Sequence, residues 1–471
     1  MINSMRIFKK TIPVLLGLFA VNAYAQQKDS GMIQSFSVKQ AVDYALTNAV
    51  QVKNALLDIE SQKQTNKEIT ASALPQITGS GSINYNPNVT VQTFPNFISP
   101  AVYGVLVNEG VKNGSGTPIV APTDFGVINA AFGTKFAFTG GIDLKQILFD
   151  GQVFVGLQAR KASIDYATKA AEVTKEQIKA NVYKIYYQLV VGKKQITTIS
   201  ANIDNFEKLL HDSKEIYKNG FAEKLDVDKV QVQLTNLYTQ RLTAQNQIDA
   251  GIEGLKFLMN LSQKDSLVLT DTLSDEEIKS NILDENYTYD DRKDFQLLGL
   301  TSKLQQYNVR RYQLSKLPTL NFEANYSKNA QRQTFDIFNG PYFTSSFLAV
   351  RLNVPIFSGG AANARIASAR LDWQKTQNNI DQLKASIDND VAQSRIHMKS
   401  AMITMDSQKK NIELAQSVYN STRLKYEQGL GSNQEINQAE ADLVTAQNNY
   451  YSSIYDAIIA KINYLQATGK L

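Results

Sequence analysis

The chain has 471 residues, 43% hydrophobic and 20% charged, a balance that supports a sizeable core and excludes a disordered polyelectrolyte. It contains no Cys, which rules out disulfides, thiolate nucleophiles, cysteine metal ligands and an N-terminal lipid acceptor. The formal charge of +5 includes Arg6, Lys9 and Lys10 near the start, so the remainder carries only +2 and offers no electrostatic footprint for nucleic acid.

Those three cations precede an apolar run at 11–21 and the small-residue triplet Ala23-Tyr24-Ala25, the three zones of a cleavable secretory signal over residues 1–25. The run is shorter than the roughly 18 to 20 residues needed to span hydrocarbon. No later stretch has about 18 consecutive apolar residues, so an exported chain of this composition enters a membrane through β-strands or not at all. Ser37 and Gln40 predict a capping box, and Val38, Ala41, Val42, Ala45 and Leu46 recur at helical spacing in a helix that Pro75 stops near Leu74.

Residues 77–85 then alternate at period two, as do 135–145, where Phe136, Phe138, Ile142 and Leu144 interleave with Lys135, Thr139, Asp143 and Lys145. Between them, about 86–131 is rich in Gly, Pro, Asn and Thr without helical periodicity and reads as a surface loop. Proline-free helical patterns run over 152–219 and 361–428, each on the order of 100 Å at 1.5 Å per residue. Helices of this length with many Lys, Gln, Asn and Glu are neither membrane spans nor elements of one globule, which leaves coiled-coil-like packing. Residues 262–291 are rich in Asp and Glu and read as a solvated connector or a small flank (equatorial) domain. Residues 320–326 and 347–356 supply two more alternating strands.

The chain reads as two copies of one unit, 26–261 and 292–471, joined by that connector. Ala73-Leu74-Pro75-Gln76-Ile77 recurs as Lys316-Leu317-Pro318-Thr319-Leu320, Phe149-Asp150-Gly151 as Phe357-Ser358-Gly359, and Tyr217-Lys218-Asn219-Gly220-Phe221 as Tyr426-Glu427-Gln428-Gly429-Leu430. Alternation suits both a soluble half-buried sheet and an outer-membrane barrel. Counting edges sharpens the choice. Four strands cannot close a channel and open edges are not tolerated in lipid, so in a membrane several chains share one barrel.

Val38-Lys39-Gln40-Ala41, Arg292-Lys293-Asp294-Phe295, the two Leu-Pro helix ends and Val354-Pro355-Ile356-Phe357-Ser358-Gly359-Gly360, in this order and duplicated, resemble the TolC-like outer-membrane efflux proteins over roughly residues 37–469. The usual Arg-Pro-Asp-Leu segment of that family reads Arg-Lys-Asp-Phe here. The resemblance implies a mainly α fold with a membrane β-barrel portion: a homotrimer whose twelve-stranded barrel, four strands per chain, continues into a long α-helical periplasmic tunnel. It also implies a passive exit duct in the outer-membrane lipid, reached from an inner-membrane RND or ABC pump through a periplasmic adaptor (membrane fusion) protein, with no cofactor. Small molecules and polypeptides both fit such a duct. A secreted coiled-coil scaffold without channel activity is the alternative.

By the same resemblance, the hairpin tips at Gly220, Phe221, Gly429 and Leu430 dock the adaptor. Asp226 and Glu435, each six residues past its glycine, match acids at the entrance, while a second family acid falls on Gln438. Tyr426 matches a gate tyrosine bonded to the acid at Asp226, and a nearby family arginine is replaced by Gly431. Each position also has a purely structural reading: glycine for positive φ, an acid favouring a helix start, a tyrosine on an apolar stripe. Tyr85, Phe132, Tyr326, Phe343 and Phe347 are candidates for an interfacial girdle. His211 and His397 are isolated, and no nucleophile–base pair, P-loop or dinucleotide fingerprint is present, so the sequence carries no sign of an enzyme or a metal site.

Overall fold

A computed structural model describes residues 32–272, 278–279 and 286–471. The expected leader at 1–25 and most of the acidic part of the connector lie outside these residues. In chain order the elements are β1 (Ile33–Phe36), α1 (Val38–Asn48), α2 (Val50–Ser72), β2 (Gln76–Tyr85), β3 (Val91–Pro95), α3 (Ile98–Asn108), β4 (Val127–Ala131) and β5 (Phe136–Phe149). There follow α4 (Gly151–Lys218), α5 (Lys224–Met259), β6 (Ser266–Leu269), a 3-10 turn at Tyr289–Asp291, α6 (Lys293–Leu314), β7 (Thr319–Arg332), β8 (Phe343–Asn353), α7 (Ala361–Glu427) and α8 (Asn433–Ala467). The two long helices, of 68 and 67 residues, begin and end within one residue of the proline-free patterns.

The capping box forms as the sequence predicts: the Gln40 amide donates to Ser37 Oγ at 3.3 Å and the Ser37 amide to Gln40 Oε1 at 2.9 Å. The single helix expected from there to Leu74 is instead two. Ala49 adopts ψ 134 between them, and the fully buried Ala49 keeps its amide on the Ala45 carbonyl. The Asn48 carbonyl freed by this break accepts from Asn260 Nδ2 at 3.2 Å, so a residue more than two hundred positions away stabilises the interruption. The last strand also ends early, at Asn353 rather than 356, because Pro355 has no N–H to give the ladder.

The described residues divide into two compact units, one of 32–59, those within 167–298, and 379–471, the other of 60–166 and 299–378. In the second, β2, β5, β7 and β8 form one antiparallel sheet in that order. Register sorts its faces. Asp143 lies opposite Thr78 and Asn325, and this face carries the bonds from Asn325 Nδ2 to Asp143 Oδ1 at 2.8 Å and from Arg351 to Glu323 at 3.0 Å. The opposite face carries Ile77, Ile83, Ile142, Leu144, Leu348, Val350 and Leu352. A soluble half-buried sheet would cover that apolar face, yet here Leu348 is 78% exposed and Ile77 67%. Of the girdle candidates, Phe343 and Phe347 pair with Asn329 and Asn325 and therefore share the polar face; Tyr85 and Tyr326 share the apolar one.

In the first unit, apolar stripes of α1, the start of α2, α4 and α5 meet around Val52, Val182, Tyr186, Leu255 and Met259. There β6, in the stretch read as connector, pairs in parallel with β1. Tyr186 binds this strand pair through its hydroxyl, which donates to the Phe36 carbonyl at 2.8 Å. The Arg-Lys-Asp-Phe segment is an anchor: Arg292 forks onto Asp294 at 3.0 and 2.5 Å and reaches the Ala467 carbonyl, while Phe295 packs with Ile387, Val391 and Ala467.

One glycine in the sheet is sterically required. A Cβ at Gly141 would stand 2.7 Å from Ser327 Cβ and 2.9 Å from the Tyr326 carbonyl, whereas one at the adjacent Gly140 would meet nothing within 4 Å. Gly141→Ala is therefore expected to destabilise the sheet by about 1–3 kcal/mol and Gly140→Ala to leave it nearly unchanged, read by thermal denaturation of the two variants in detergent.

Candidate functional site at the helical hairpin tips

Both hairpins turn on the same local device. Gly220 (φ +78) and Gly429 (φ +73) occupy the left-handed position just past α4 and α7. The Gly220 amide donates to the Tyr217 carbonyl at 2.9 Å and the Phe221 amide to Ile216 at 3.0 Å. Gly429 and Leu430 donate likewise to Tyr426 and Lys425 at 3.0 and 2.9 Å, so each tip is a Schellman cap that satisfies the last carbonyls of its helix. No heavy atom lies within 4 Å of a Cβ built on either glycine, so backbone angle and not crowding selects the residue. The caps push Phe221 and Leu430 outward, 85% and 78% exposed.

The next helix starts a few residues on. Asp226 and Glu435 each stand in its first turn, where the helix dipole favours an acid. Ser432 caps α8 by accepting the Glu435 amide at 3.2 Å, while α5 starts at Glu223 without a side-chain cap. Asp226 is half-buried, 3.9 Å from Lys229 Nζ, and Lys229 in turn donates to Gln434 Oε1 at 3.2 Å, tying the first hairpin to the second. Glu435 is exposed.

Tyr426 has other neighbours. It packs, half-buried, against a cluster in which Ile203, Phe206 and Leu209 of α4, Val230 and Leu234 of α5, Tyr419 of α7, and Ile436 and Leu443 of α8 converge. Within one chain no hydrogen bond joins it to Asp226 among the described residues. The place of the family arginine is tight: a Cβ on Gly431 would come within 3.1 Å of the Tyr426 amide nitrogen.

Between Tyr426 and the body of the hairpins lies a cavity of about 370 Å3 that the sequence did not reveal. Its buried wall holds Glu440, 2% exposed, whose Oε1 has no hydrogen-bond partner. Burial pushes the Glu440 carboxyl up to about 8, against the lowering influence of the Tyr419 hydroxyl and the Arg423 charge. The other charged groups around the cavity are Glu427, bonded to Arg423 at 2.8 Å, and Lys208, Asp212 and Glu215 of α4. The only signal in the sequence is an acid at a position where Ile436, Ala439 and Leu443 mark the buried stripe of α8. Above the cavity the contact between α4 and α8 is a polar ladder: Asn202 to Gln447 at 2.6 Å, Thr198 to Tyr451 at 2.7 Å and Gln195 to Asn448 at 3.0 Å. His211 and His397 lie apart on α4 and α7, and among the described residues no three His, Cys, Asp or Glu side chains converge as a metal site would require.

Comparison with known proteins adds three findings. Residues 291–470 match the model of the Outer membrane efflux protein family. The chain is 19% identical over 340 residues to outer membrane protein TolC of Vibrio cholerae, covering 71% of this chain and 77% of that one, and 19% identical over 342 residues to the proteases secretion protein PrtF of Dickeya chrysanthemi, covering 70% and 71%. A crystal structure of CusC superposes with a TM-score of 0.72 at 15% identity over 93% of each chain, which is a likeness of fold.

Glu440 also sets a pH dependence. Its folded pKa is raised above the ordinary value of 4.5, so the stability it contributes is fully present below pH 4.5, declines above that, and is lost as pH rises through about 8. Thermal midpoints of the helical portion are expected to fall between pH 5 and pH 9, and Glu440→Gln, neutral at every pH, is expected to remove most of that fall. Circular dichroism melts of both proteins across this range provide the check.

Proposed function

We propose that the chain is a TolC-like outer-membrane channel protein and works as the homotrimeric exit duct of a tripartite efflux or type I secretion system. Three copies of the sheet close a twelve-stranded barrel in the outer membrane. The long helices α4 and α7 with α5 and α8 build a periplasmic tunnel, and the two structural repeats, 26–261 and 292–471, each supply two strands and one hairpin to this duct. The observation that carries this reading is the sheet itself: among the described residues β2 and β8 each lack a neighbour on one side, and much of its apolar face is exposed, apart from the patch at Phe138 and Ala330. Lipid can cover the face, and only further copies can pair the edges, since an open edge in hydrocarbon leaves backbone groups without partners at several kcal/mol each. The polar face, with Asp143, Glu323 and Arg351, then lines the water-filled interior.

At the hairpin tips, the exposed Phe221 and Leu430 give a periplasmic adaptor two apolar footholds, and an RND or ABC pump in the inner membrane supplies the energy. Threefold repetition brings Asp226, Glu435 and Tyr426 to the entrance, where crowded acids attract cations and the tyrosines narrow the opening. The relative PrtF is named for the secretion of proteases, which favours polypeptide cargo alongside small molecules.

Purified protein is expected to run as a trimer on unheated denaturing gels and to conduct in planar bilayers; a monomer soluble without detergent refutes the duct. In the same assay Tyr426→Phe is expected to raise single-channel conductance. Combining Phe221→Asp with Leu430→Asp is expected to abolish transport in cells while leaving the trimer on unheated gels intact.

A further inference from the structure

The loop between β2 and β5 contains a feature that the duct does not require. The strand pair continues past the end of the sheet, with the Asn86 amide donating to the Lys135 carbonyl at 2.7 Å and the Phe132 amide to Thr90 at 2.9 Å. It becomes the β3–β4 hairpin that carries α3. Helix α2 enters β2 and β5 leads into α4 at the opposite end of the sheet, so α3 stands beyond the outer end, attached to the edge strand β2. Asn96 starts the helix by accepting the Ser99 amide at 3.0 Å, and one side of it packs inward, where Tyr103 meets Phe125 at 5.5 Å between ring centres. The other side does not. Ile98, Val102 and Val105 form an i, i+4, i+7 stripe that is 51–62% exposed, and Phe97 extends it.

A helix that is apolar on all sides belongs in an interior. We infer that α3 is a self-association element: in the trimer of the proposed duct, on which this rests, the copies meet through the Ile98–Val102–Val105 stripe and narrow the exit. Charge distinguishes this occupant from a lipid surface. From residue 76 to 108 the sequence has no charged side chain, and Lys112 is the one cation between 86 and 131, too few to hold anionic headgroups. Identical copies facing one another around an axis put like against like, an arrangement that charged stripes resist and a neutral apolar stripe favours. Attachment to an edge strand places the helix beside the neighbouring copy, since β2 is one of the two strands that a second chain must pair.

The absence of Cys makes the test direct. Ile98→Cys, Val102→Cys and Val105→Cys are introduced singly into the full chain, with Asn113→Cys as a polar control, and purified trimers are treated with a short bifunctional maleimide. Crosslinked dimers are expected at one or more of the three stripe positions and not at the control. Val105→Asp is expected to raise bilayer conductance by about twofold or more as an apolar constriction opens. Trimers that persist on unheated gels while all three cysteines stay uncrosslinked and react freely with a water-soluble maleimide overturn the inference and leave the duct intact. Loss of the trimer in the unmodified protein refutes the duct itself.

Discussion

The need of every buried backbone N–H and C=O for a partner governs this molecule. It shapes the sheet, whose inner strands β5 and β7 are paired on both sides while its edge strands, among the described residues, are not. Ten pairs join β2 to β5 and the ladder continues through β7 to β8, yet the outward sides of β2 and β8 offer their groups to nothing. The same need decides the hairpin tips, where two Schellman caps use a left-handed glycine to satisfy the ends of helices nearly seventy residues long. It also explains the break at Ala49, tolerated because Asn260 takes the orphaned carbonyl.

Around the tips, polarity is placed inside the helix contacts and not only outside them. The ladder of Asn202–Gln447, Thr198–Tyr451 and Gln195–Asn448 gives α4 and α8 one defined register, since a slip of either helix would leave these groups unpaired. Closer to the tip this satisfaction fails. Glu440 keeps an oxygen without a partner beside a cavity, and Ser213 and Asn437 also carry unpartnered buried oxygens. The tips thus combine glycine-capped helix ends with buried oxygens that lack partners, whereas the contact of α4 with α8 further from the tips is hydrogen-bonded.

The stretch between β2 and β5 follows another logic. It read as a surface loop without helical periodicity because such periodicity needs polar residues to mark the far face, and α3 has almost none. Its helix starts at the local Asn96 turn but is held by Phe125, which meets Tyr103 from 22 residues further on, a contact that no short window of sequence contains. The stretch read as connector behaved similarly. Its strand β6 depends on β1, more than two hundred residues earlier, for its hydrogen bonds.

What the sequence by itself determined is whatever local stereochemistry dictates: the Ser37 box, the helix ends at Leu-Pro, the lengths of α4 and α7, the glycine tips and the alternation of four strands. Each follows from the dihedral limits or spacing of adjacent residues. Even the parity that puts Phe347 with Arg351 on the polar face was present in the alternation. Only the tertiary structure decided that much of the apolar face of the sheet is exposed, that Glu440 is buried without a full set of partners, and that α3 presents an uncovered stripe. Burial and hydrogen-bond satisfaction are properties of the space between elements, and residues distant in sequence supply that space.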